Sequence, residues 1–377
     1  MLEHEPIASL AARLRRGDIS SVELTERHLD RITSLDPRLH SFRAITRERA
    51  LEEARTADRE LRNGPDRGHL HGIPYAAKDL FDVKDLPTTA GTSLLAGNVA
   101  REDSPAVRRL ADAGMILLGK VHTVQFAFGL VGTNSDQGNP INPWHPIPHA
   151  PGGSSSGSAV AVAAGLAPAA LGTDTGGSVR VPSSLCGVVG LKTTVGRVSR
   201  AGVYPLSRTL DSVGPITRSV EDAAWMAEAI QGPDPDDPST VGVKPSEFVR
   251  TLKDGVSGLR LAFGETVFFD DLDPEVETAV RATGEVFRSL GARVERMELP
   301  EVAEAVREKN RPLFIAYEAC EVNRDFLDHH FDELDPNVAR RMITGRDLPR
   351  EEYDALLRRY GSYRERIRRT LAEVDAL

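Results

Sequence analysis

The chain has 377 residues, 40% hydrophobic and 27% charged, which supports a sizeable buried core and, on length alone, about two or three domains. Its net charge of −9 argues against a nucleic-acid surface or an anionic membrane surface, since both need a basic footprint. Two cysteines, Cys186 and Cys320, are too few for a disulfide framework, and no run approaches the ~18 consecutive apolar residues of a membrane span. The opening Met1-Leu2-Glu3-His4-Glu5-Pro6 has neither the basic start nor the apolar run of a secretory signal, so a cytoplasmic location is expected.

The first third reads as helical. Ser20-x-x-Glu23 is a capping box, and Val22, Leu24, Leu29 and Ile32 follow at roughly helical spacing. Residues 47–62 predict a second, highly charged helix. Gly72-Ile73-Pro74-Tyr75-Ala76-Ala77-Lys78-Asp79 predicts a short buried strand with Lys78 at its end. Ser104 as N-cap, Pro105 at the first helical position and Gly114 at the stop mark a helix that leads into a strand at Met115–Leu118. The Ala-rich run 159–171 reads as a buried helix and strand. A Pro/Asp/Gly stretch at 232–238 is a surface loop or linker. Leu259, Leu261 and Phe263 alternate in a further strand, Asp273-Pro274 starts a helix that stops near Gly291, and Val294–Leu299 is the next strand. Alternating strands and helices imply a large mixed, mostly parallel central sheet covered by helices on both faces. Residues 302–377 read as charged helices, with the arginines of 358–369 on a solvated face.

Two glycine-rich, hydroxyl-bearing segments carry the chemistry: Gly152-Gly153-Ser154-Ser155-Ser156-Gly157-Ser158 and Gly172-Thr173-Asp174-Thr175-Gly176-Gly177-Ser178-Val179-Arg180. Glycine beside a hydroxyl lets backbone approach a ligand closely. A phosphate loop fails because no Gly-Lys-Ser/Thr follows. Gly153-Ser154-Ser155-Ser156-Gly157 matches the G-x-S-x-G elbow with Ser155 as nucleophile, but that elbow needs a strand before it, and 146–151 holds three prolines in six positions. His69 with His71, and His145 with His149, lack the supporting carboxylates of a zinc site, so no metal is expected. Serine chemistry without histidine remains. It requires a base that is neutral near pH 7, and Lys78 in its apolar setting is the candidate, set against a strand-end lysine reaching solvent or paired with Asp79.

Together these segments resemble the amidase signature family. The likeness runs through both glycine-rich segments, Val181-Pro182, Cys186-Gly187-Val188-Val189-Gly190-Leu191-Lys192, the lysine segment Gly72–Asp79, Gly196-Arg197-Val198 and Leu210-Asp211-Ser212-Val213-Gly214-Pro215. It implies one amidase domain over 1–377, with N-terminal helices at 1–65, a signature core at 66–230, and a sheet extension with a helical substrate-side region at 231–377. It implies a catalytic set of Ser178 (nucleophile), Ser154 (proton relay, preceded by a cis peptide from Gly153) and Lys78 (base). An oxyanion hole would come from the backbone N–H groups of Thr175, Gly176, Gly177 and Ser178, at a strand-to-helix junction that favours developing negative charge. Asp174 and Arg180 are expected to pair and hold that loop, Ser155 to orient Ser154, and Gln125, Phe126 and Phe128 to contact substrate.

The expected activity is hydrolysis of a linear carboxamide, a small-molecule substrate, through an acyl-enzyme without metal or organic cofactor. The glutaminase subunit of a tRNA-dependent amidotransferase is the alternative, although Gly202-Val203-Tyr204-Pro205-Leu206-Ser207 looks more like the stand-alone amidases. A non-catalytic binding protein or fragment on the same scaffold is the rival from another class. No direct nucleic-acid or membrane partner is expected, and the oligomeric state, a homodimer among the options, stays open. Members of the family are usually longer. The close at Glu373-Val374-Asp375-Ala376-Leu377 looks like the approach to a further buried strand, so a missing C-terminal part is expected.

Overall fold

Period-two alternation along the strands builds two separate cores, one on each face of a central sheet. The computed structural model describes residues 2–308 and 310–377. Strands β1 (Phe42–Ile45), β2 (Pro74–Lys78), β3 (Ile116–Val121), β4 (Ala169–Asp174), β5 (Val189–Gly190) and β6 (Ser212–Thr217) form a sheet of order β1-β3-β2-β4-β6-β5. Its centre, β3-β2-β4, is parallel. The pairings of β1 with β3, β6 with β4 and β5 with β6 are antiparallel. The sheet is therefore mixed, with its parallel part confined to the middle.

Tyr75 and Ala77 of β2, Leu117 of β3, Leu171 of β4 and Val213 of β6 enter one core. Helices α1 (Ile7–Arg16), α4 (Pro105–Asp112) and α7 (Val220–Ile230) cover it with Ile7, Leu10, Val107, Leu110 and Met226. The intervening residues Ala76, Ile116, Leu118, Ala170 and Ile216 enter the other core. There they meet α2 (Ser21–Leu39), α3 (Arg47–Asn63), α5 (Ser156–Ala163) and α6 (Arg180–Cys186). The Ser20–Glu23 capping box is formed, with the Ser20 hydroxyl accepting from the Glu23 N–H and the Glu23 carboxylate from the Ser20 N–H. All eight residues of α5 are buried, and it lies close on the sheet because its residues are small. At Gly157 a Cβ would stand 2.4 Å from the His122 nitrogen and 2.5 Å from the Ser41 oxygen.

The described residues divide into two compact units. The first runs to Arg250 and takes in Val322–Arg341; the second comprises Thr251–Glu321 and Met342–Leu377. Within the second, β7 (Arg260–Gly264), α8 (Pro274–Ser289) and β8 (Arg293–Met297) make a parallel β-α-β unit in which Leu261 faces Val294. Asp273 caps α8 by accepting from the Glu275 N–H. The sequence reading takes these strands as an extension of the central sheet; they form a two-stranded sheet of their own. The expectation of a further strand near the last residues meets a bridge between Ala376 and Leu261, with the Ala262 N–H donating to the Ala376 carbonyl at 3.1 Å. The remaining helices are α9 (Pro300–Arg307), α10 (Asn310–Val322), α11 (Arg324–His329), α12 (Pro336–Ile343) and α13 (Arg350–Thr370). On α13, Arg366 pairs with Glu304 and Arg369 with Glu365. Among the described residues no helix is long and apolar enough to cross a membrane.

Candidate active site

The parallel centre of the sheet brings two strand ends together. β2 ends on Lys78 and β4 on Asp174, with Ala77 opposite Leu171. The loop leading into α5 reaches both. Gly152 takes φ +79°, a conformation that suits glycine, and its N–H and that of Gly153 donate to the Val131 and Leu130 carbonyls. The Gly153–Ser154 peptide is cis. The Val124 N–H donates to the Ser154 carbonyl at 3.2 Å.

Lys78 Nζ donates to Ser154 Oγ at 2.8 Å and to Thr173 Oγ1 at 2.8 Å. Lys78 and Ser154 have no exposed surface. The Ser155 N–H donates to the Ser178 carbonyl at 3.1 Å, which sets Ser178 beside the Ser154–Ser155 peptide. The Ser155 hydroxyl donates to the Thr173 carbonyl and accepts from the Thr173 N–H, each at 3.3 Å, and Ser158 Oγ donates to the Leu171 carbonyl. The hydroxyls of Ser154 and Ser155 in the loop and of Ser158 in α5 thus tie this segment to β2 and β4.

Asp174 anchors the turn that carries Ser178. Its carboxylate accepts from the N–H groups of Gly177, Val179 and Arg180 and from Arg180 Nε and Nη2, the last two at 3.0 and 2.9 Å. Burial is the strongest single influence on this carboxyl and pushes it up. Arg180 and the backbone donors outweigh it and hold Asp174 below the usual carboxylate range. Of the four N–H groups expected to form an oxyanion hole, that of Gly177 donates to the Asp174 carboxylate at 2.9 Å. Among the described residues the N–H groups of Gly176 and Ser178 donate to no protein acceptor.

Burial draws the Lys78 amine down to about 7, while the negative charges of Asp211 and Asp174 work in the other direction. The alternative partner weighed for Lys78, Asp79, is bound elsewhere. Its Oδ1 lies 2.7 Å from Lys120 Nζ, and both side chains are buried.

The three residues expected to contact substrate are placed as follows. Gln125 is buried, and its Oε1 accepts from the Asp335 N–H at 2.8 Å. The Phe126 ring is wholly buried and stacks against Tyr204 and Phe326. The Phe128 carbonyl accepts from Arg341 Nη1 at 3.2 Å. Of the histidines, His69 stacks on Trp225, His71 lies 3.1 Å from Glu60, and His145 meets His149 edge-on. Among the described residues no group of three or more His, Cys, Asp or Glu side chains could hold a metal ion.

The sequence reading missed Thr173 and Asp211. Thr173 follows Leu171 by two in the strand, a usable signal. Asp211 directly precedes a strand whose six residues are all buried, an unusual place for a carboxylate. It accepts from Thr175 Oγ1 and from the Leu206 and Ser207 N–H groups.

A buried lysine on a serine hydroxyl, beside a glycine turn with unspent N–H groups, is an arrangement that can move a proton to and from a hydroxyl without histidine. The sequence profile of the Amidase family matches residues 23–377, and the chain belongs to this family. It is 44% identical over 299 residues to a glutamyl-tRNA(Gln) amidotransferase subunit of Chromohalobacter salexigens, a match that covers 79% of this chain and 61% of that protein. The chain thus spans less than two thirds of that relative's length. Among solved structures, a chain from a vestigial protein complex tied to the origins of an s-triazine catabolic enzyme superposes with a TM-score of 0.92 at 34% identity, covering 98% of this chain and 80% of that one. The peptide amidase of Stenotrophomonas maltophilia superposes with a TM-score of 0.76 at 38% identity, covering 87% and 70%.

Proposed function

We propose that the chain is an amidase that hydrolyses a linear carboxamide to a carboxylate and ammonia or an amine. The observation that carries this reading is the 2.8 Å bond from a fully buried Lys78 Nζ to Ser154 Oγ, beside the turn that bears Ser178. Ser178 Oγ attacks the carbonyl carbon, and its proton passes through Ser154 to neutral Lys78. The N–H groups of Gly176 and Ser178 stabilise the oxyanion; losing one such donor typically costs ~3 kcal/mol of barrier stabilisation. The leaving nitrogen takes the proton back as the C–N bond breaks. Water then attacks the acyl-enzyme, gives up a proton along the same path, and Ser178 leaves with a proton returned to it.

A screen of simple aliphatic, aryl and urea-type amides for ammonia release tests this reading. Ser178→Ala is expected to abolish turnover with an unchanged circular-dichroism spectrum. An active Ser178→Ala protein would overturn the assignment.

A second reading is favoured by the amidotransferase subunits among the relatives. In it the chain is a glutaminase that passes ammonia to a partner protein. Glutamine hydrolysis only in the presence of a co-purifying second chain would put this reading first.

A further inference from the structure

Two carboxylates hold the turn that bears Ser178, and the mechanism above uses neither. Asp174 lies inside the turn and fixes Gly177, Val179 and Arg180. Asp211 comes from the far side of a different loop and takes Thr175, the first residue of that turn, through Thr175 Oγ1. The other oxygen of Asp211 accepts from the Leu206 and Ser207 N–H groups, both at 2.9 Å. Three donors and no acceptor suit an ionised carboxylate, and they work against the burial that pushes this carboxyl up. Asp211 is therefore a rivet between the 205–211 loop and the turn before Ser178. It stands on the wall of a cavity of about 250 Å³ that Thr173, the second partner of Lys78, also lines.

We infer that Asp211 is a positioning residue for the amide reaction, holding through the Thr175 hydroxyl the turn from which Ser178 and its neighbouring N–H groups project. The inference rests on the reading of Ser178 as nucleophile and Lys78 as base. A second consequence follows from charge. Lys78 is approached by Asp211 and by Asp174, and both favour its protonated form. Asp174 is matched by Arg180, and the Asp79–Lys120 pair nearby is matched within itself. On the cavity side of Asp211, Arg200 is bound to Asp237, and Arg208 and Asp236 complete the charged lining. Removing the Asp211 charge alone therefore makes Lys78 easier to deprotonate, and the rate should reach its plateau at lower pH.

A tagged fluorophosphonate reads this without knowledge of the substrate. Its rate of covalent attachment to Ser178 is followed against pH, per mole of folded protein. In the wild type the rate should rise with pH to a plateau. Thr175→Val should lower the plateau ~10-fold while leaving the midpoint in place, and Thr175→Ser should restore it. Asp211→Asn should lower the plateau and move the midpoint down by about one pH unit. A merely structural Asp211 would lower thermal stability and leave the midpoint where it was, which overturns the inference. Thr175→Val labelling at the wild-type rate overturns it too, and this arm stands even where Asp211→Asn does not fold. A wild type that resists labelling at every pH overturns the nucleophile reading itself, an outcome separate from any result with the variants.

Discussion

Asp79, the neighbour of Lys78 in sequence, is bound to Lys120 of the adjacent strand, with Oδ1 and Nζ 2.7 Å apart and both side chains buried. The register explains the choice. Ala77 lies opposite Lys120 across β2 and β3, so Lys120 comes up beside the turn that follows Lys78. Thr89 donates to the second Asp79 oxygen, and Lys120 also donates to the Pro87 carbonyl at 3.1 Å. The pair thus pins the residues after β2 and leaves Lys78 to the hydroxyls. Lys120→Met strands a buried carboxylate and should cost ~3–5 kcal/mol in urea denaturation, with the Asp79→Asn/Lys120→Met double variant recovering part of the loss. A single variant within ~1 kcal/mol of wild type would deny the pair its anchoring role.

The lowered pKa of Lys78 predicts two pH dependences. With the amine drawn down to about 7, kcat/KM should fall roughly tenfold per pH unit below that midpoint as the base becomes protonated, and level off above it. Lys78→Arg, cationic at every working pH, should show no such activity. Stability follows linkage. From about 7 up to the ordinary lysine value of 10.5, the unfolded chain holds a proton that the folded chain does not, so stability should rise with pH across that window. Below it both states are protonated and this contribution stays flat. Lys78→Met should remove the rise, as measured by urea denaturation at several pH values.

Features set by a few consecutive residues were legible in the sequence. The Ser20–Glu23 box, Pro105 at the start of α4 and the Asp273 cap of α8 depend on backbone chemistry within one turn, and each stands where the pattern puts it. Lys78 and Ser154, far apart in sequence, were paired by the resemblance of their segments rather than by any local rule. Strand β6 escaped because its Gly214 and Pro215 are residues that seldom sit inside a strand. In the sheet Pro215 lies opposite Leu171, and its carbonyl accepts from the Leu191 N–H, so the missing proline donor is no obstacle there. Thr173, Asp211 and Lys120 escaped for a different reason: each acquires its role from the register of neighbouring strands or from a loop crossing to a distant turn. The placement of β7 and β8 in a sheet of their own is likewise decided by which strands find each other, and their alternation is the same in either sheet.

The Asp174–Arg180 pair should split unequally under mutation. Asp174 has no exposed surface and serves three backbone N–H groups as well as the guanidinium, while the Arg180 side chain is 50% exposed. Asp174→Asn replaces an acceptor by a donor facing those N–H groups, and should cost ~1–3 kcal/mol and most of the turnover as the turn loses its anchor. Arg180→Met leaves the backbone bonds in place and should cost under ~1 kcal/mol once solvent screening is allowed for. Thermal melts with ammonia release on the same samples measure both. Equal losses in the two variants would mean that the ion pair, not the backbone cradle, holds the loop.

Gly157→Ala sets two effects against each other. Helix propensity favours alanine over glycine by ~1 kcal/mol at an interior position, and by less at Gly157, the second residue of α5. Against that, the new methyl would stand 2.4 Å from the His122 nitrogen, 2.5 Å from the Ser41 oxygen and 2.8 Å from the His122 oxygen, all backbone atoms that follow β3 or precede β1 and cannot swing aside. Relief requires α5 to lift from the sheet. Ser154 and Ser155 lie just before α5 and would move with it, weakening the Lys78–Ser154 contact. Steric overpacking of this kind costs ~1–3 kcal/mol or more, so the variant should be less stable than wild type in urea and should lose amidase rate out of proportion to that loss. A variant stabilised by about the propensity difference would mean that α5 has slack against the sheet, and the close seating that brings Ser154 to Lys78 would then need another cause.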